Sequence, residues 1–210
     1  MNISYGRILF TLIFSLPAFV LSAQEKRAME LADIMKFEQV KSPTISRDGL
    51  WVAHAAVPDR GDPRVLVYSS DGNTQYELKG GQDPVISSDG RWVAAIKAVP
   101  ASELLVSDRG KNKGPGMFLL NTRTGETHSF ETVMSFTFSN NSRWLVFHHH
   151  DKKAKEKEPE KQNATLPAGS TLTLMDLENK RSDTLAFVSN FAMDSVSQHL
   201  AYVVADTAAT

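Results

Sequence analysis

Three consecutive histidines, His148-His149-His150, form the densest group of potential metal ligands or general bases in the chain. They follow Trp144-Leu145-Val146-Phe147, an apolar run that reads as a strand. Successive side chains on a strand point to opposite faces, so three in a row cannot converge on one ion. No Asp-x-His or His-x-x-x-His partner lies nearby, and Asp151 is the adjacent carboxylate. The cluster is expected to be a strand end entering a loop. Gly110-Lys111-Asn112-Lys113-Gly114 is basic and bounded by glycine, but it lacks phosphate-loop spacing and the hydroxyl residue after Lys. It too reads as a loop. No Gly-x-Ser-x-Gly occurs, so the usual exposed serine nucleophile of an α/β-hydrolase is missing from these residues. Dinucleotide fingerprints, paired zinc ligands and calcium loops are absent as well. No catalytic, cofactor-binding or metal-ligating residue is therefore assigned, and no cofactor is expected.

The composition narrows the remaining classes. The chain has 210 residues, 41% hydrophobic and 22% charged, which supports a packed core rather than disorder. A formal charge of -1 offers no basic field for nucleic acid. With no cysteine there is no disulfide framework, thiolate site or cysteine nucleophile. The N-terminus is different in kind. Arg7 precedes the apolar stretch Ile8 to Leu21, small residues end it at Leu21-Ser22-Ala23, and Glu25-Lys26-Arg27 follow. That is the order of a cleavable secretory signal. The apolar run, about 14 residues with Pro17 inside, is too short for a span of roughly 20. Residues 1–23 are expected to be removed, leaving a periplasmic or secreted chain that starts near Gln24 and has no membrane segment. The leader is of bacterial type, so Asn163-Ala164-Thr165 is read as a chance match to the glycosylation sequon.

The elements that would position any chemistry come from a repeat. Ile45-Ser46-Arg47-Asp48-Gly49-Leu50-Trp51-Val52-Ala53 returns as Ile86-Ser87-Ser88-Asp89-Gly90-Arg91-Trp92-Val93-Ala94. It returns again as Phe138-Ser139-Asn140-Asn141-Ser142-Arg143-Trp144-Leu145-Val146, and in degenerate form as Met193-Asp194-Ser195-Val196-Ser197-Gln198-His199-Leu200-Ala201. In the first two copies an apolar strand ends, turns at Asp-Gly, and restarts at a tryptophan; the third keeps the spacing without Asp-Gly, and the fourth aligns without a gap. Glycine supplies the positive φ of a tight turn, and Asn140-Asn141 is expected to stand in for Asp-Gly in the third copy. The tryptophans read as core packing. A second strand–turn–strand interleaves, with turns at Asp71-Gly72, Thr124-Gly125 and Glu178-Asn179. Four strands per unit make the blade of a β-propeller. The expected fold is all-β: a partial propeller of about four four-stranded blades, the last incomplete. Its units are about 41–82, 83–133, 134–188 and 189–210, after a lead-in at 24–40 with a short helix over Glu25 to Lys36.

The period lengthens from 41 residues (Ile45 to Ile86) to 52 (Ile86 to Phe138) and 55 (Phe138 to Met193). The extra residues fall between second and third strands, at Pro100 to Gly116 and Asp151 to Gly169. Antiparallel strands place both insertions on one face of the propeller. The second holds the mixed-charge run Asp151 to Lys161, which reads as a solvated loop.

Leu31-Ala32-Asp33-Ile34-Met35-Lys36-Phe37, followed by Ser42 to Ala53, resembles the start of exported bacterial serine peptidases of the prolyl oligopeptidase family (S9). The Ser-x-Asp-Gly-x-Trp-Val-Ala unit also resembles the WD40-like repeats of TolB-like periplasmic proteins, which bind protein partners without catalysis. The charged insertion before Thr171-Leu172-Thr173-Leu174 is similar to the peptidases. What that resemblance implies is a propeller that gates peptide substrates and docks a C-terminal α/β-hydrolase domain carrying the Ser, Asp and His triad. No position here matches that triad, and no Glu-Glu pair like that of dipeptidyl-peptidase relatives occurs. The expected partners are the hydrolase domain, absent here, and peptides, with no nucleic acid. The sequence stops two strands into the fourth unit, so the open arc is expected to self-associate in isolation.

Overall fold

The computed structural model describes residues 28–34, 37–106, 114–149 and 169–205. The expected signal (1–23), Lys111 to Lys113, His150, the charged run Asp151 to Lys161 and Asn163 lie outside the described residues. The chain divides into two units, Met1–Ile34 and Met35–Thr210. Of the helix expected over Glu25 to Lys36, the described part of the first unit contains one turn, α1 (Leu31–Ile34).

The described strands of the second unit all pair antiparallel. Strands β1 (Glu38–Ile45), β2 (Trp51–Pro58), β3 (Arg64–Ser69) and β4 (Gln75–Lys79) form the first sheet in chain order. The second repeats the pattern with β5 (Gly81–Ile86), β6 (Trp92–Lys97), β7 (Gly116–Asn121) and β8 (Thr127–Phe130). The third holds β9 (Val133–Phe138), β10 (Trp144–His149), β11 (Ser170–Asp176), β12 (Arg181–Met193) and β13 (Leu200–Val204). The register repeats too: Trp51, Trp92 and Trp144 face Ser69, Asn121 and Asp176 across the second and third strands of their sheets. These are three propeller blades and the inner hairpin of a fourth.

The blade boundaries share one backbone device. Gly80, Thr132 and Phe187 each precede the next inner strand by one residue, and each has positive φ, 79°, 58° and 60°. At Phe187 the chain kinks without leaving sheet geometry. The outer strand of blade 3 and the inner strand of blade 4 therefore merge into β12, which pairs β11 through Val188 and then β13 from Val188 onward.

Strand alternation explains the core. Val93 and Ala95 of β6 face blade 1, where they meet Ala53, Ala55, Val65 and Val67. Trp92 and Ala94 face blade 3 and meet Leu145 and Phe147. On β10 the opposite parity, Val146, packs with Leu172 and Val188 toward blade 4. Central strands buried on both faces read as continuous apolar runs, as Trp92 to Ile96 does. Ala53, Ala55, Ala94 and Ala95 are buried in these cores, and apolar burial at about 25 cal/mol per Å² supplies the attraction. The first and last strands are the exceptions. Val40 and Ile45 on β1 and Val203 and Val204 on β13 are more than half exposed.

Candidate functional site

The two faces of the stack are built differently. One carries the inner turns, and the repeat is a hydrogen-bonding machine. The Ser46 hydroxyl donates to Asp48 Oδ1 at 2.5 Å and accepts from the Trp51 amide at 2.9 Å, while Asp48 Oδ1 also accepts from the Leu50 amide at 3.0 Å. Ser87, Asp89, Arg91 and Trp92 repeat these bonds, as do Ser139, Asn141, Arg143 and Trp144. In blade 4 Asp194 does both jobs, accepting from the Gln198 and His199 amides at 2.7 and 3.0 Å. Hydrogen bonds to the charged form hold the Asp48 carboxyl below its ordinary range, led by Ser46, and the His199 amide does the same for Asp194.

The positive φ of the turn falls on Gly49, Gly90, Ser142 and Ser197, at 72°, 68°, 59° and 60°. The expectation that Asn140-Asn141 stands in for Asp-Gly is corrected by one residue. Asn141 replaces the aspartate as an acceptor, and Ser142, not an asparagine, takes the left-handed position.

The outer turns bond to the inner ones on the same face. Asp176 anchors that of blade 3. Burial opposes its charge, but the Arg143 guanidinium at 2.9 Å, the Asn179 side chain and the Asn179 and Glu178 amides outweigh that and hold it far below the ordinary carboxylate range. The same guanidinium lies 5.0 Å from the Trp144 ring centroid.

The opposite face carries the links between second and third strands and those between blades. There a cleft of about 380 Å³ opens between blades 1 and 2. Strand ends bring its charges together: Arg64 begins β3, Lys79 ends β4 and Lys97 ends β6. Arg64 is bracketed by Glu38 at 2.7 Å and Glu77 at 3.5 Å. Lys97 Nζ donates to Glu131 at 2.6 Å and to the Ser129 hydroxyl at 3.1 Å, 5.7 Å from the Phe118 centroid. Asp62, from the short link of blade 1, accepts from the Ala101 amide at 2.8 Å. That bond caps a six-residue helix, α2 (Ala101–Val106), inside the Pro100 to Gly116 insertion and ahead of the Gly110 to Gly114 stretch that reads as a loop. A neighbouring hollow of about 70 Å³ shares Lys97, Ala98 and Pro100 with the cleft. Asp62, Gly80 and Pro100 lining one cleft puts the insertion of blade 2 on the same face as the inter-blade links, as antiparallel connectivity requires.

The described lining of the cleft is mostly polar and charged. It holds charges of both signs, with Arg64 and Lys97 each paired to a glutamate. Sequence reasoning missed it because nothing in Arg64, Lys79 or Lys97 marks them as a group. The usable signal was positional, since starts of third strands and ends of second and fourth strands share one face.

His148 and His149 do not converge. His148 is buried toward blade 4, its Nε2 2.8 Å from the Val188 carbonyl oxygen, with the Phe191 ring edge-on at 6.1 Å. His149 points to the other face, 2.8 Å from the Thr173 hydroxyl and beside Phe147. Among the described residues no group of three His, Cys, Asp or Glu side chains could hold a metal. No described helix is long and apolar enough to cross a membrane.

No protein-family profile matches the sequence, and no curated protein matches it. Solved structures do. An acylaminoacyl peptidase in complex with a peptidyl chloromethyl ketone is 12% identical with a TM-score of 0.51, over 81% of this chain and 28% of that one. The uncomplexed Pyrococcus horikoshii acylaminoacyl peptidase is 13% identical with a TM-score of 0.50 over the same shares. The β-propeller domain of the trilobed protease from Pyrococcus furiosus is 16% identical with a TM-score of 0.49, over 75% of this chain and 46% of that one. The chain thus has the fold of a β-propeller, with peptidase propellers among its structural neighbours, and spans less than half the length of these three.

Proposed function

We propose that this chain is the propeller region of an exported, prolyl-oligopeptidase-like serine peptidase. In this reading it admits and sizes peptides, and a separate α/β-hydrolase domain cuts them. The observation that carries the reading is the likeness of the blade stack to a stretch of acylaminoacyl peptidases that makes up 28% of their length. The cleft supports it. Paired charges at the ends of strands can hold an extended peptide by its termini and polar side chains. Residues 1–23 serve as the export leader, and the mature chain works in the periplasm or outside the cell.

The test is the reading frame beyond codon 210, followed by labelling. Further blades and a Gly-x-Ser-x-Gly are expected, and a fluorophosphonate probe should label the extended product but not residues 24–210 alone. A native stop codon with no frameshifted continuation, or probe labelling of the short chain, would sink the proposal. N-terminal sequencing of the exported product should begin near Gln24.

A further inference from the structure

We propose that the fourth residue of the inner turn in blades 2, 3 and 4 is a latch to the blade before it, and that where it is serine its hydroxyl makes the tie. Ser142 of blade 3 accepts a hydrogen bond from the Asp89 amide of blade 2, 53 residues away, at 3.0 Å. Ser197 of blade 4 accepts one from the Asn141 amide of blade 3, 56 residues away, at 3.3 Å. Both donors are third turn residues and both acceptors are fourth. At the second junction a further bond runs alongside, from Asn140 Nδ2 to the Ser195 carbonyl at 3.0 Å.

Two features show that the serines are more than tolerated substitutes for glycine. Both sit at left-handed φ, where a side chain is strained and glycine is not. Both are also buried, at 5% and 7% exposure, with the hydroxyl used in the same way each time. Strain retained twice for one contact points to the contact.

The glycine in this position meets its neighbour by a different route. A Cβ on Gly90 would stand 3.3 Å from both Asp48 Oδ2 and Trp51 Cδ1 of blade 1, so that junction closes by direct approach and has no room for a hydroxyl. The residue at this one position thus selects between two ways of joining blades: close contact for glycine, a hydrogen-bonded spacer for serine. The latches run through blades 2, 3 and 4 on the turn face.

Ser142→Gly decides the matter because the two readings give opposite signs. If serine is only tolerated, glycine relieves the backbone and raises the urea midpoint. If the hydroxyl is a latch, the midpoint falls, and hydrogen exchange at the Asp89 amide speeds up about tenfold while amides inside β6 keep their protection. Ser197→Gly should act in the same way on the Asn141 amide and leave Asp89 unchanged. A raised midpoint, or unaltered exchange at Asp89 in Ser142→Gly, would overturn the proposal.

Discussion

Gly49 and Gly90 occupy the same turn position with nearly the same φ, 72° and 68°, yet they differ in what surrounds them. A Cβ on Gly49 would meet nothing within 4 Å, whereas one on Gly90 would press on Asp48 and Trp51. Neither neighbour is free to yield. Asp48 is tied by the Ser46 hydroxyl and the Leu50 amide, and the Trp51 ring is stacked on Tyr76 at 5.9 Å. Gly49→Ala should therefore cost only the left-handed backbone, about 1 kcal/mol. Gly90→Ala bears that cost plus overpacking of about 1–3 kcal/mol. Entropic effects of alanine on the unfolded chain are common to both and cancel in the difference. With a urea m-value of about 2 kcal/mol/M, the two midpoints should differ by roughly 0.5–1.5 M, Gly90→Ala being the lower. Equal shifts would mean that blades 1 and 2 do not meet through this turn, and the account of the junction would fail with them.

Acid should act through the turn carboxylates. Asp176 has a native pKa below its ordinary value of 3.8, so its contribution is complete above that pH and is lost as pH falls through it toward the native value. Asp176→Asn should flatten the stability profile between about pH 4 and 2; identical acid limbs for variant and wild type would contradict the Arg143–Asp176 assignment. Between blades 2 and 3, Met117 is fully buried, and Met117→Ala should cost about 2–5 kcal/mol by denaturant titration. Val40, 64% exposed on the first strand, should tolerate alanine to within about 0.5 kcal/mol. The reverse order would displace the core from the blade junctions.

What the sequence discloses depends on how far apart the partners lie. Ser46, Asp48 and Trp51 bond within six residues, so their spacing recurs wherever the turn recurs, and the blade can be read directly. The link from Ser142 to Asp89 crosses 53 residues, and a serine in a turn carries no mark of a distant donor. For the same reason Asn140-Asn141 attracted the left-handed assignment: asparagine tolerates positive φ better in isolation, and only the neighbouring blade shows why serine is there. The merged strand β12 was hidden because its kink falls on Phe187, a residue with no turn propensity. Helix α2 was obscured by the glycines and lysines of the insertion around it, and its cap, Asp62, comes from another blade. The cleft was the least legible feature, since its residues share only the ends of strands.

These differences bear on where recognition can evolve. On the turn face blades 1 and 2 spend Ser, Asp and Trp on the same bonds, blade 3 substitutes Asn141 and blade 4 uses Asp194, and a change in turn length would break both the hairpin and its neighbour's latch. On the opposite face the second-to-third-strand link varies from the short Asp59–Pro63 segment to the insertions of blades 2 and 3 without altering the strand register, since Trp51, Trp92 and Trp144 keep equivalent partners. Loop length costs little free energy, about 0.6 kcal/mol per doubling. Variation is therefore cheap on the face that holds the cleft and expensive on the other. The proposed role of screening peptides would draw on that asymmetry: one face fixed enough to keep the blades in step, the other free to vary.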